Sequence, residues 1–205
     1  WCLDAVCLLP LVLLLGLPRL AAALGQAKAA LQALSLGMTQ AIDQAMLLGQ
    51  SPLALTTSLL FDPRWSAAAA QLTSALTTCV LLPPLVYALL ACPWALAFEC
   101  SARQATPGKR AFGLIVGDAR GQRLLPTQAL ARFAAAGLSW LSLNLGHAMA
   151  AFAPHLALHD RLSHTRVLVD GQRCALPAWG KAWLFAQALA AVVACVWGFL
   201  ALQAW

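Results

Sequence analysis

Four long apolar runs, near residues 1–24, 66–98, 133–153 and 182–205, set the pattern of this chain, and each is nearly free of charge. Each can cover a hydrocarbon core of roughly 30 Å, which takes about 20 helical residues. The first run contains Pro10 and Pro18, which helices in lipid tolerate, and ends near Arg19, whose long side chain can reach the interface. Residues 26–50 differ. Leu31, Leu34, Met38, Ile42 and Ala45 recur at helical spacing, while Lys28, Gln32, Ser35, Thr39 and Asp43 share the other face, predicting an amphipathic helix on or beside a bilayer. The run 66–98 spans about 50 Å as a helix, longer than the hydrocarbon core. Pro83 and Pro84 are expected to break or kink it, and Pro93 to redirect it before Glu99.

After Pro107 the pattern becomes strand-like. Phe112, Leu114 and Val116 alternate with Gly113, Ile115 and Gly117, and Asp118-Ala119-Arg120-Gly121 is a turn from which 122–125 can return as a partner strand. Thr165 to Val169, closed by Asp170-Gly171, is a further strand. A lone hairpin is marginal, so the three strands are expected to form one sheet. A sheet cannot be made across a bilayer, so this pairing puts both connections on one side. Residues 127–154 must then leave and return, as an interfacial helix over 127–136 and a re-entrant stretch over 137–154. The competing arrangement is a plain span over 133–153, with the strands unpaired.

Composition agrees with a membrane protein: 61% of residues are hydrophobic and 10% charged, where a soluble domain carries about 25% charge. The net charge of +6 is concentrated in two connections. Arg103, Lys109, Arg110, Arg120 and Arg123 occupy one, and Arg161, Arg166, Arg173 and Lys181 the other, as cytoplasmic loops do under the positive-inside bias. Nucleic-acid binding, which would want a basic stripe on a soluble fold, is not indicated. The seven cysteines form no CxxC pair and are expected to serve as small apolar residues. The chain opens on Trp1, so residues before it are expected, and the first run is expected to be a retained span, since Asp4 stands where a signal peptide is basic.

Three stretches resemble the RDD family of small bacterial and archaeal membrane proteins. Ala105-Thr106-Pro107-Gly108-Lys109-Arg110 followed by Ala111 to Val116 looks like that family's Thr-Pro-Gly-Lys-Arg turn running into a strand. Leu158-His159-Asp160-Arg161-Leu162-Ser163-His164-Thr165-Arg166-Val167 is similar to its His-Asp-Arg-Leu-x-x-Thr-x-Val signature. In the first span Asp4 corresponds to a family aspartate that follows an arginine. That arginine is expected before Trp1, and Ala105 stands where glycine is common. The resemblance implies a domain over 1–171, with spans near 2–24 and 67–92, a basic loop 99–126, the interfacial or re-entrant segment 127–154 and a His-Asp-Arg loop 155–171. An added span follows over 182–205. The expected fold is thus an all-α transmembrane bundle of three to four membrane helices, with a small cytoplasmic hairpin or three-stranded sheet, in a bacterial cytoplasmic membrane.

The resemblance also implies a small ion or solute transporter, sodium–proton exchange having been proposed for some members. An intramembrane carboxylate is a functional candidate, so Asp4, with Asn144 and His147 of the third run, is the candidate pathway. The alternative is a non-transporting scaffold that recruits a membrane partner or a second copy. Transport predicts Asp4 and Asn144 facing one another or a watery cavity. His155, His159 and His164 beside Asp160 invite a metal, but the glutamate of the zinc-protease motif is absent, and neither metal nor cofactor is implied. Gly108-Lys109 fails as a phosphate loop, with Arg103 and Arg110 in place of the required glycine and hydroxyl residue. The turn's cations are instead expected to face anionic lipid headgroups, with one of them paired to Asp160. No catalytic constellation appears, so no enzyme activity is expected.

Overall fold

The computed structural model describes residues 2–142, 145–171 and 177–203. Its helices are α1 (Cys2–Leu47), α2 (Pro52–Phe61), α3 (Pro63–Glu99), α4 (Pro107–Ala111), α5 (Pro126–Leu141), α6 (Leu145–Ala148), α7 (Leu158–Ser163) and α8 (Ala178–Gln203). Its strands are β1 (Leu114–Asp118) and β2 (Thr165–Val169). Three helices, α1, α3 and α8 from Ala178 to Trp197, are long and apolar enough to cross a membrane. Many of their large apolar side chains are exposed, Leu14 at 72% and Trp197 at 73%. Such a surface is stable only where lipid solvates it.

The chain divides into two compact units. In the unit formed by Ala5–Ala91, α1 does not stop at the end of the first apolar run. It continues without a break through the stretch expected to be a separate amphipathic helix, because 26–47 is rich in alanine, leucine and glutamine, all strong helix formers, and contains no proline. At about 69 Å it is more than twice the hydrocarbon thickness. It ends where Gly49 takes a left-handed φ of 61° and the Gln50 N–H reaches back to the Ala45 carbonyl at 2.9 Å. Ser51 then caps α2, its Oγ accepting from the Ala54 N–H at 3.3 Å. Small residues line the seam of this unit: Ala23, Ala27 and Ala30 of α1 and Ala68 and Ala75 of α3 are buried, and the Trp65 ring lies where a Cβ on Gly37 would meet it at 3.7 Å. Helix α3 also runs unbroken past Pro83, Pro84 and Pro93, so the break expected there does not occur.

The other unit comprises residues 1–4 and Cys92–Trp205. Here β1 and β2 pair antiparallel, from Leu114 opposite Val169 to Asp118 opposite Thr165. This joins the two basic connections in one sheet, as expected. The sheet has two strands among the described residues, not three. Asp118 Oδ1 accepts from the Arg120 and Gln122 N–H groups, each at 2.8 Å, and folds the chain so tightly that Gly121 lies 2.9 Å from where a Gly117 Cβ would be. Residues 122–125 are thereby directed into α5 instead of returning along β1. The other edge of β1 is met by Gln104, whose carbonyl accepts from Val116 N–H at 2.7 Å and whose side-chain amide donates to Val116 O at 3.2 Å. Val116, Leu124 and Ala129 form the core beneath, with Leu96 and Cys100 against it.

The third apolar run is not a plain span. Helix α5 has 16 residues, ends at Ser142, and is followed by a four-residue α6 and one 3₁₀ turn, Met149–Ala151. Neither is long enough to cross. The buried positions of α5, Ala129, Arg132, Ala135, Ala136 and Ser139, fall at helical spacing on one face, which packs against α7. At Gly146 a Cβ would run into Ser139 and approach Leu158 to 3.0 Å, so glycine is what lets α6 lie against both helices. Among the described residues the run is thus broken into short helices, with α5 and α6 both packed against α7.

Candidate functional site

Buried charge is concentrated in the unit containing the sheet. Arg132 stands on the apolar face of α5, where helical phase directs its side chain inward. Its Nη1 donates to Asp160 Oδ1, and to Thr165 Oγ1 at 2.6 Å, while its Nε lies 3.6 Å from Glu99 Oε2. Glu99, the last residue of α3, is also paired through Oε1 with Lys109 of α4. Two carboxylates and two cations thus form one chain of contacts linking α3, α4, α5 and α7. Such ions repay desolvation only when their geometry is good and their remaining polar atoms are bonded. They are. The second oxygen of Asp160 accepts from the Ala157 N–H at 3.1 Å and so caps α7, and the Ser163 and Thr165 hydroxyls lie 2.8 Å apart.

His159 is buried beside this cluster, its Nε2 3.8 Å from Asp160 Oδ1 and its ring 5.1 Å from that of His147. Burial, with the Arg132 charge adding to it, depresses the His159 pKa to about 4, against the opposing pull of Asp160. The imidazole is therefore neutral at pH 7, and its buried Nδ1 has no hydrogen-bond partner among the described residues. Burial also lowers the His147 pKa. The thiol of Cys100, next to Glu99, is pushed up by burial and then by the Glu99 charge.

Asp4 forms the second part of the site. It is buried in the first turn of α1, and its two oxygens accept from the Thr106 hydroxyl at 2.8 Å and the Gly108 N–H at 2.9 Å. The carboxylate lies so close to Gly108 that a Cβ there would fall within 2.8 Å of Oδ2. Thr106, Pro107 and Gly108 thus form a cradle for it: Pro107 starts α4, Thr106 is the residue before the helix, and the glycine admits the carboxylate. An RDD family model matches residues 1–164 of this chain.

The chain belongs to the RDD family. Its match covers the Asp4 span, the first motif loop and the second as far as His164, and the molecule is an RDD membrane protein. No curated protein and no solved structure matches the chain.

Within this RDD chain, the motif residues separate by role. Lys109, His159, Asp160 and Thr165 enter the cluster, and Thr106, Pro107 and Gly108 hold Asp4, whereas Arg110 and Arg161 are exposed. The expected pairing of Asp160 with a cation of the turn is replaced by Asp160 with Arg132 and Lys109 with Glu99. Asp160 is on α7, directly facing α5, and Arg132 is the nearest cation there. His147 meets His159, and Asn144 lies outside the described residues. The three histidines near Asp160 do not converge. His155 is exposed before α7 begins, and His164 is exposed where its left-handed φ of 53° ends that helix. Sequence reasoning missed Arg132 and Glu99 as site residues. The available signal was a lone arginine on the apolar face of an amphipathic helix and a glutamate closing an apolar run.

Proposed function

We propose that this RDD protein is a small ion or solute transporter of the bacterial cytoplasmic membrane, of the sodium–proton exchange kind, with the Asp4 cradle and the Arg132 cluster as its charge-sensing part. The observation that supports it most is the burial of three carboxylates, Asp4, Glu99 and Asp160, where the first turn of α1 and the end of α3 meet the motif loops. Buried ionisable groups are costly and cluster at functional sites. Asp4 holds the Thr106 hydroxyl just before α4 and the Gly108 N–H within it, so a cation or proton arriving there competes with both donors and loosens α4 from the first turn of α1. Ligand occupancy and the position of the loop are then linked.

The experiment is exchange in proteoliposomes. The wild-type chain is expected to collapse an imposed pH gradient on addition of sodium. Asp4→Asn is expected to insert equally and to exchange little. Full exchange by that variant refutes the role of Asp4. A scaffold is the second reading, favoured by the pairing of Glu99 and Asp160 with cations inside the cluster, as a fixed joint requires. It predicts no wild-type flux with any cation offered.

A further inference from the structure

Five-residue α4 sends its two cations in opposite directions. Lys109 turns inward to Glu99, but Arg110 is exposed and, with Arg103, lines a cavity of about 410 Å³ between the α3–α4 connection and β1. Gln104, Gly113 and Asp170 complete its polar wall. Gln104 spends its carbonyl and its side-chain amide on Val116, and the Gly113 carbonyl accepts from the Asp170 N–H at 2.8 Å. The chemistry left facing the cavity is two guanidinium groups and one carboxylate, none of them ion-paired among the described residues. Concave placement of two guanidinium groups against one carboxylate leaves a net positive field facing the cavity, and guanidinium is the donor whose fork matches a phosphate.

The depth of the cavity follows from its neighbours. Phe112, between Arg110 and Gly113, stacks on Trp179 with ring centroids 5.1 Å apart, and Trp179 is in the first turn of the candidate span of α8. Gly180 admits that ring, since a Cβ there would lie 2.7 Å from Phe112. Aromatic residues at the ends of spans sit at headgroup level, which brings the cavity level with lipid phosphates. The carboxylate decides between headgroups. Asp170 disfavours a ligand that is only anionic and suits one that also carries an ammonium group.

We propose that this cavity binds the headgroup of a phospholipid, its phosphodiester held by Arg103 and Arg110 and its ammonium by Asp170, as in phosphatidylethanolamine. The site is independent of whether the protein transports. Native mass spectrometry of the full chain in detergent, offered phosphatidylethanolamine and phosphatidylglycerol together, tests it. The wild-type chain retains phosphatidylethanolamine in preference. Arg103→Ala and Arg110→Ala each weaken that binding on the order of tenfold, the worth of one hydrogen-bonded charge. Asp170→Asn abolishes the preference between the lipids, and Arg123→Ala, at an exposed cation outside the cavity, changes neither. Equal retention of both lipids by wild type, unchanged binding in the two arginine variants, or an equal loss in Arg123→Ala overturns the proposal. So does displacement of the lipid by matching concentrations of inorganic phosphate, which would make the cavity a free-anion site.

Discussion

Replacing Arg132 by leucine removes the cation shared by two buried carboxylates and leaves its shape largely filled. Asp160 Oδ1 and Thr165 Oγ1 lose a donor, and Glu99 loses one of its two cations, with Glu99 and Asp160 both about 95% buried. Breaking a buried pair by removing one partner costs about 3–5 kcal/mol, because the other charge is left uncompensated. For a chain of this length each kcal/mol lowers the melting temperature by roughly 2–4 °C, so a drop of about 6–20 °C is expected. Intrinsic fluorescence of the purified protein in detergent follows the melting, since the chain has eight tryptophans. Arg132→Lys is expected between wild type and leucine, an ammonium serving one carboxylate but lacking the fork to bridge two. Adding Asp160→Leu to Arg132→Leu should cost less than the sum of the single changes, since the uncompensated charge is gone. A loss for Arg132→Leu below about 1 kcal/mol, the worth of a surface pair, or strict additivity in the double variant, refutes the cluster as described.

Other perturbations test the remaining contacts. Thr106→Val removes a donor from the buried Asp4 carboxylate and is expected to cost about 1–3 kcal/mol, measured by the same melting assay. Gly146→Ala forces Ser139 and Leu158 away from α6 and is expected to destabilise by about 1–3 kcal/mol, whereas Gly16→Ala, with open space around it, should be neutral or slightly stabilising. Stability should fall with acid through His159. Its folded value of about 4 lies below the unfolded 6.5, so the unfolded chain takes up the proton first, and stability present above pH 6.5 is lost as pH falls towards 4. His159→Gln should flatten the melting profile across that window, and an unchanged profile would contradict the burial of a neutral imidazole.

The sequence pattern carried the membrane class and the pairing of two distant strands, because each depends on period and length. Val116 and Thr165 are the best cases: alternation predicted the first strand and a valine-rich stretch closed by Asp170-Gly171 the second, and both residues are buried in the paired strands. The errors have a common source in local rules overridden by context. Residues 26–47 satisfy an amphipathic pattern, but nothing in them stops a helix already under way, so α1 continues to Gly49. Pro83 and Pro84 carry no comparable stop, since α3 continues through them. The motif loops could be placed together from the sequence, but not their partners. Asp160 was expected to pair with a cation of the Thr106–Arg110 turn, yet Lys109 of that turn faces Glu99 and Asp160 faces Arg132, charges delivered by elements whose orientation only packing determines.

The central claim is that the two basic connections form one unit on one side of the membrane. In a cysteine-free background, single cysteines at Ala119, beside the β1 turn, and at Arg166 in β2 occupy exposed positions of the two loops. A membrane-impermeant thiol reagent applied to sealed vesicles of known orientation should modify both from the same face and neither from the other. Labelling of the two positions from opposite faces would separate the strands across the bilayer and contradict the account.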